Sequence, residues 1–444
     1  MNPHSQRLSR RRFLRRSALA AGTVAAPAVV PSGVVALGGE PGANGRIGIA
    51  FIGAGRRSHQ LLGSLRGLPS LPGEVELRAA SDVWPAKCRE FLNAYDEKVL
   101  KPKGGTTRDY GVYEDYRKLL ERDDVDAVIV TTCDHWHALA AIQACQAGKD
   151  VYGEKPLALT IREGRAMVRA VRKHQRIFQT GTQQRSYLRN RQGCELVRNG
   201  RLGKVHTVVC TNYNSSKPLS AYEIPTEPVP EGLNWERWCG QTPVVPFSTH
   251  VYLTYNDPGW QWIREYSGGL LTNWGAHGLD MVQWALGTDD TGPVEVEAHG
   301  NQPDSKITFR YAGGVELRLE TDGSVLGGGK FIGTEGTLTM TRGKFHTDPI
   351  AISKEELTDA DVRLYRSDNH MQNFVDCIKS RERCAADVEI GHRTATICHL
   401  GGIARRLGRK LRWDPEKEVF PDDEEANTHL DRPKREGYGL PEAV

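Results

Sequence analysis

Four short blocks in this chain carry residue types suited to binding a nucleotide and moving a proton. Gly53-Ala54-Gly55 follows the buried-strand run 46–52 and precedes a helical stretch over 58–66. In that setting the first glycine permits a tight turn, the second lets backbone approach a pyrophosphate, and the helix N-terminus faces its charge. Ser58 stands where the third glycine of the fingerprint usually falls, and is small enough for close packing. Asp82 ends the next strand, where a carboxylate accepts hydrogen bonds from the adenine-side ribose and repels a 2′-phosphate. NAD is therefore expected over NADP. Arg56 and Arg57 temper that preference, since a guanidinium at this turn can engage a phosphate. Asp134-His135-Trp136-His137 and Gly153-Glu154-Lys155-Pro156-Leu157 each follow a further strand, at carboxyl ends where parallel sheets bind ligands. The fourth block, 268–280, holds Asn273, His277 and Asp280 at helical spacing.

The elements that must position these blocks are visible as alternating periods. Strand runs at 75–81, 127–131 and 150–153 alternate with helical stretches at 85–95, 116–121 and 138–147. Strict alternation with short connections specifies a parallel sheet covered on both faces, a doubly wound Rossmann domain over 45–165. A helix over 161–174 then leads into a different pattern. Strands at 205–213, 294–299, 306–311, 315–320, 330–333 and 337–341, with Gly pairs between them, predict a second α/β domain over 166–412 with a large open, mainly antiparallel sheet. The aromatic, Pro-rich stretch 215–258 reads as a long ordered loop, 369–379 and 392–407 as late helices, and 413–444 as a charged tail.

Taken together, the Asp-His-Trp-His, Glu-Lys-Pro and Gly-Gly…Ala-His…Asp blocks make the chain from Arg46 to about Arg412 resemble the Gfo/Idh/MocA family of NAD(P)-dependent sugar and polyol oxidoreductases. Within it, the chain is similar to an exported branch that pairs a twin-arginine signal with a Trp-rich second domain. The resemblance implies oxidation or reduction of a secondary hydroxyl, which needs a hydride acceptor and a group that takes the hydroxyl proton. Lys155 would then sit beside the nicotinamide and hydrogen-bond the reacting hydroxyl, its pKa lowered by burial beside a cation. Glu154 would orient the ribose or Lys155, and a cis bond at Pro156 would aim the lysine. His277 matches the family's second catalytic position, as general base. Four residues earlier, where many members hold Asp, this chain has Asn273, and an amide cannot accept a proton. Asp280 is a candidate to orient the His277 ring or else a helix residue bonding nearby backbone. Thr132, Asp134, Trp136 and His137 are expected at the cofactor, and Gln183, Gln184, Arg185 and Tyr187, after a strand ending at Gly181, at cofactor or substrate, with Tyr187 a reserve acid/base.

Six of the nine tryptophans fall between 235 and 284. Flat aromatic faces suit pyranose rings, and they equally suit a buried platform or an oligomer interface. Trp260, Trp262 and Tyr255 are the candidates for sugar contact, whereas Trp274 and Trp284 read as core. Metal chemistry is not expected, because no ligand spacing recurs.

Ser9-Arg10-Arg11-Arg12-Phe13-Leu14 followed by a mild apolar run over 18–30 resembles a twin-arginine export signal within 1–36. That run has 13 residues, against about 20 for a membrane span, so no stable anchor is expected. The chain's formal charge of +4 is located there: six arginines and no acid lie in 1–36, leaving 53 basic against 55 acidic residues. The body gives no case for nucleic acid. Nine scattered cysteines with no Cys-x-x-Cys pair suggest neither a disulfide framework nor zinc, though export leaves pairing open. The expectation is an exported enzyme with tightly held NAD, acting on a carbohydrate and forming a homo-oligomer through the open sheet. The alternatives are a redox-neutral NAD-dependent glycoside hydrolase or lyase, and a non-catalytic dinucleotide-binding protein.

Overall fold

Alternation of buried β-branched runs with amphipathic helices produces the sheet that the sequence predicts. The structure is a computed structural model that describes residues 45–253, 259–321 and 324–441. The expected signal segment 1–36 lies outside the described residues. Strands β1 (Ile47–Ile52), β2 (Val75–Ser81), β3 (Gly111–Tyr113), β4 (Ala127–Val130), β5 (Asp150–Gly153) and β6 (Phe178–Thr180) form a parallel sheet in the order β3-β2-β1-β4-β5-β6. Helices α1 (Arg56–Arg66), α2 (Pro85–Tyr95), α3 (Tyr116–Leu120), α4 (Asp134–Gln146) and α5 (Ile161–Lys173) connect them. The sheet order reverses between β1 and β4, and there the crevice at the carboxyl ends opens.

One boundary and one strand differ from expectation. The first domain does not stop at 165, because β6 pairs in register with β5, Val151 opposite Phe178. The short edge strand β3 carries no alternation long enough to be read as a strand, and only its pairing with β2 reveals it.

The second sheet comprises β7 (Val205–Thr211), β8 (Glu295–Ala298), β9 (Ile307–Arg310), β10 (Glu316–Thr321), β11 (Lys330–Gly333), β12 (Thr337–Thr341), β13 (Lys344–Asp348) and β14 (Lys410–Arg412). Its order is β13-β12-β11-β7-β10-β9-β8-β14, antiparallel except for the β7–β10 pair. Helices α6 (Leu188–Arg198), α7 (Trp235–Cys239), α8 (Thr249–Tyr252), α9 (Leu270–Asn273), α10 (Gly275–Leu286), α11 (His370–Ser380), α12 (Val388–Leu407) and α13 (Glu424–Asn427) complete the chain.

α11 and α12 return to the first domain. Met371, Phe374 and Val375 join the core of Phe51, Leu77 and Phe91, and Val388 and Ala395 join that of Val128 and Val151. Glycines permit the approach of α5 and α12: a Cβ on Gly164 would stand 2.5 Å from the His392 ring, and one on Gly391 would meet Thr180 at 2.2 Å. The segment expected as a charged tail is ordered packing through residue 440. Trp413, Phe420 and Leu430 are core residues, and Tyr438 packs edge-on against Trp136 at 5.6 Å. Its aromatics anchor it, and two of its charged residues turn inward, Glu418 to His392 and Arg165, and Arg432 to a small cavity.

Candidate functional site

Between the carboxyl ends of β1, β2, β4 and β5 and the second domain runs a cleft of about 750 Å³. Its floor begins at Gly53, whose φ of +92° a side chain would strain, and where a Cβ would lie 2.8 Å from Thr132 N. Gly55 caps α1 and has open space where a side chain would project, so its backbone faces the cleft. Ser58 Oγ donates to Gly55 O at 2.6 Å, and thus the serine at the third fingerprint position ties the turn to the helix. Asp82 is held by two amides, Ala54 N at 2.8 Å and Trp84 N at 2.9 Å. Burial pushes its pKa up, against those two bonds. A turn open to a pyrophosphate, followed by a fixed carboxylate at the end of β2, fits NAD.

Arg56 and Arg57 both line the cleft. Arg57 is drawn across it to Glu154 Oε1 at 2.7 Å. Glu154 also accepts from Gln183 Nε2 at 3.1 Å and from the Lys155 amide, which fixes its plane. The bond from Lys155 to Pro156 is cis. Thr132, Asp134, Trp136 and His137 line the cleft as well. His137 bridges two loops, Nδ1 to Pro156 O at 2.7 Å and Nε2 to Thr132 O at 3.1 Å, so it couples the ends of β4 and β5. His135 and Trp136 both bond the Trp238 carbonyl, fastening α4 to α7. Asp134 accepts from Ser267 Oγ at 2.7 Å.

At the inner end Lys155 Nζ donates to Asn273 Oδ1 at 2.8 Å, with the Asn273 carbonyl at 3.3 Å. Both acceptors are neutral. Desolvation lowers the Lys155 pKa from 10.5, opposed by Glu154 and Asp134. Asn273 therefore serves the lysine and makes no hydrogen bond with His277. His277 lines the cleft with Nδ1 sealed from solvent and unpartnered. Burial first, then the charges of Lys155, Arg342 and Arg57, hold its pKa well below 6.5, so the ring is neutral near pH 7.

Several expected residues are elsewhere. Asp280 does not reach the His277 ring: it is fully buried on another face of α10, bonded to Arg185 Nε at 2.9 Å and Thr394 Oγ1 at 3.0 Å. Arg185, expected at the cofactor, is consumed by Asp280 and Asp289. Gln184 bonds the Gly327 carbonyl inside the second domain, leaving its neighbour Gln183 in the cleft. Tyr187 does not line the cleft; it packs near Gly343. Trp260 lines the cleft, whereas Trp262 does not, its carbonyl accepting from Lys217 N and Tyr222 OH. Trp274, expected in the core, is 38% exposed at the cleft, while Trp284 is core. Tyr255 lies outside the described residues. Among the described residues, no three His, Cys, Asp or Glu side chains converge as a metal site, and all nine cysteines are free thiols.

Arg342 and Gln261 line the cleft without any signal in the sequence, whereas Trp238 and Tyr252, which also line it, belong to the aromatic cluster that the sequence displays. Arg342 arrives on the β12–β13 hairpin, some 190 residues beyond Lys155 in the chain, and no local signal announces it. The described part of the aromatic stretch, 215–253, contributes Arg237, Trp238, Tyr252 and Leu253 to the lining. Trp235 stacks on Trp238 at 4.4 Å, and with Phe247, Trp260 and Tyr266 they form a small core of their own.

Comparison with known proteins agrees with this geometry. The family model described as the oxidoreductase family's NAD-binding Rossmann fold (Gfo/Idh/MocA) matches residues 47–182, and that of its C-terminal alpha/beta domain matches 179–440. An aldose-aldose oxidoreductase from Caulobacter crescentus has a similar fold, at TM-score 0.56 and 19% identity over 83% of this chain and 99% of that one. A glycosyl hydrolase family 109 protein of Shewanella pealeana is 31% identical over 35% of each chain. The 2,7-anhydro-N-acetylneuraminate hydratase of Mediterraneibacter gnavus is 31% identical over 43% of this chain and 42% of its own. The chain thus matches less than half the length of these curated relatives.

Proposed function

Given that this chain belongs to the Gfo/Idh/MocA oxidoreductase family, we propose that it oxidises or reduces a secondary hydroxyl of a sugar, polyol or sugar derivative at the inner end of the cleft. The observation that carries this reading is the Lys155 ammonium, desolvated and held only by neutral oxygens of Asn273, in a cleft shared with a neutral His277. Bound NAD supplies the hydride acceptor or donor for the carbinol carbon. Gly53, Gly55 and Asp82 would hold its pyrophosphate and ribose, and the carboxylate disfavours a 2′-phosphate. Glu154, pinned by Arg57 and Gln183, fixes the backbone from which Lys155 projects.

The remaining work falls to this chain's side chains. Lys155 donates to the reacting oxygen and stabilises negative charge as it develops there, a role suited to an ammonium without a neutralising carboxylate. His277 accepts the hydroxyl proton, since its depressed pKa keeps the ring unprotonated. Arg342 adds positive charge to the same end. Trp238, Trp260 and Trp274 offer apolar surface for a sugar ring. Export by the twin-arginine route with NAD loaded beforehand, and homo-oligomerisation through the open sheet, belong to the same proposal. They rest on the 9–14 motif and on the eight-stranded sheet.

The relatives named as a glycosyl hydrolase and a hydratase favour a second reading at the same site. There the hydroxyl is oxidised only transiently, the adjacent C–H becomes acidic, the glycosidic oxygen leaves, water adds, and the hydroxyl is restored. One experiment separates the readings. Protein is purified without added nucleotide; one portion is denatured to identify released NAD(H), and a second, still folded, is assayed on sugars and on aryl glycosides in D₂O. Net NADH formation supports the dehydrogenase. Glycoside cleavage with deuterium at the adjacent carbon and no net NADH supports the redox-neutral cycle. Absence of both activities, with Lys155→Ala indistinguishable from wild type, would sink the catalytic proposal.

A further inference from the structure

A second, small cavity lies where α12 meets the Gly268 turn and the C-terminal segment, with a volume of about 20 Å³ and no lining residue in common with the main cleft. Arg406 and Arg432 line it, beside His429, Ser216 and Thr272. Arg264 is close enough to act on both arginines.

The charges here are unbalanced. Arg406 Nε is sealed from solvent with no hydrogen-bond partner, and the side-chain bond of Arg432 is to the Arg264 carbonyl. Among the described residues, none of the three guanidinium groups is in an ion pair with a carboxylate, in contrast to Arg393, Arg409 and Arg435. Two lining hydroxyls are committed as donors, Ser216 Oγ to Ser267 O at 2.8 Å and Thr272 Oγ1 to Gly269 O at 3.1 Å, while Ser215 Oγ accepts from Arg405. Thr160 Oγ1 likewise donates to Asp431. Glu163, Glu265 and Asp134 act on Arg432 through space, but Glu163 is engaged by Gln241, the Leu159 amide and Lys434, and Asp431 by Thr160 and Lys434. The lining itself holds cationic N–H donors and no carboxylate. Burial, then the neighbouring Arg432 and Arg264, pull the Arg406 guanidinium down to about 9. Burial likewise brings Arg432 to about 10. Partly buried cations assembled this way are costly unless something neutralises them.

We propose that this cavity is a binding site for a small inorganic monoanion of chloride size, held by the guanidinium groups of Arg406 and Arg432. The volume sets the class. About 20 Å³ exceeds the ~10–15 Å³ that a single water needs and suits one monatomic ion. The site is independent of the redox reading. Its wall nevertheless leads directly into Asn273, the acceptor for Lys155, so an anion there would stiffen the turn that holds the lysine.

The full chain is melted at constant ionic strength while sodium gluconate is replaced by sodium chloride or bromide. The melting temperature should rise and saturate with halide, as expected for a ligand that binds only the folded state. In Arg406→Gln and Arg432→Gln the saturable rise should vanish, and in gluconate alone these variants should be as stable as wild type or more so, because each removes an unpaired cation. Should neither variant fold, wild-type crystals soaked in bromide decide, with an anomalous peak expected between Arg406 and Arg432. Equal melting in gluconate and halide, an undiminished rise in Arg406→Gln, or no bromide peak would overturn the proposal. So would a larger Arg406-dependent rise in sulfate, which means an oxyanion. Dissociation of an oligomer in Arg406→Gln would overturn it too, since a partner's carboxylate would then be the counter-charge.

Discussion

Lys155 and Arg185 are two cations set into the interior of one chain, and they are treated in opposite ways. Arg185 is 1% exposed, bonds both Asp280 and Asp289, and lies over the Trp284 ring at 5.1 Å. Burial alone would lower its pKa, but the two carboxylates outweigh it and hold the charge firmly on. Lys155 faces the cleft, its ammonium bonded to two neutral oxygens of one asparagine. Helix α10 serves both: His277 faces the lysine's cleft, and Asp280, one turn on, closes the arginine's ion cluster. Burial of a charge does not by itself mark chemistry. A cation whose acceptors are complete is architecture, and one left with capacity to spare, next to a base with a free ring nitrogen, is poised to act.

The largest expected effect tests the lysine. Lys155→Met should lower kcat by about 10²–10⁴-fold, the usual worth of a positioned acid/base group. Its melting temperature should hold or rise, because a desolvated ammonium is removed. The comparison breaks if the variant unfolds while its folded fraction turns over normally. Asp280→Ala is the converse. It leaves Arg185 with only the partly exposed Asp289, and urea unfolding should show a loss of about 3–5 kcal/mol. Turnover per folded molecule should change little, and a loss as large as that of Lys155→Met would place Asp280 in the chemistry after all.

The asymmetry between the two regions also explains what the sequence made legible. Lys155 and Asp82 can be located because each stands within two residues of the end of a β-strand, and the carboxyl edge of a parallel sheet is where its crevice opens. Asp280 could not be assigned from its spacing. Residues 275–285 of α10 are all buried, so the helix has no exposed face against which to orient His277 and Asp280. Arg185 and Gln183 were likewise read as equals, and only the short helical turn over 183–186 sends one to the cleft and the other into the second domain. Arg342 depends on a hairpin of the second sheet reaching the cleft, a long-range placement with no local pattern. Aromatic content signals the packing of 233–252 around Trp235 and Trp238, but not which tryptophans face the cleft.

His277 sharpens the comparison through pH. With its pKa held well below 6.5, the ring stays neutral and able to accept a proton until the medium is distinctly acidic. The acid limb of kcat/KM should therefore lie below pH 6.5, and His277→Gln should abolish that limb while lowering the plateau by about 10²-fold. An acid limb unchanged in the variant would assign the base elsewhere.

The smallest effect is the most discriminating. Asn273→Asp would place a carboxylate at the 2.8 Å contact now made by the amide oxygen, giving Lys155 the kind of partner that Arg185 already has. An opposite charge there favours the ammonium and raises its pKa. If the ammonium is the working form, the alkaline limb of the rate profile should move up by about one pH unit, equivalent to about 1.4 kcal/mol. The rate below that limb should fall modestly, because a neutralised cation stabilises an incipient alkoxide less well. If instead the neutral amine is the working form, activity should decline at pH values where wild type is fully active, since more base is needed to free the amine. The direction of that one shift tells whether the asparagine is present to keep the lysine's charge unspent.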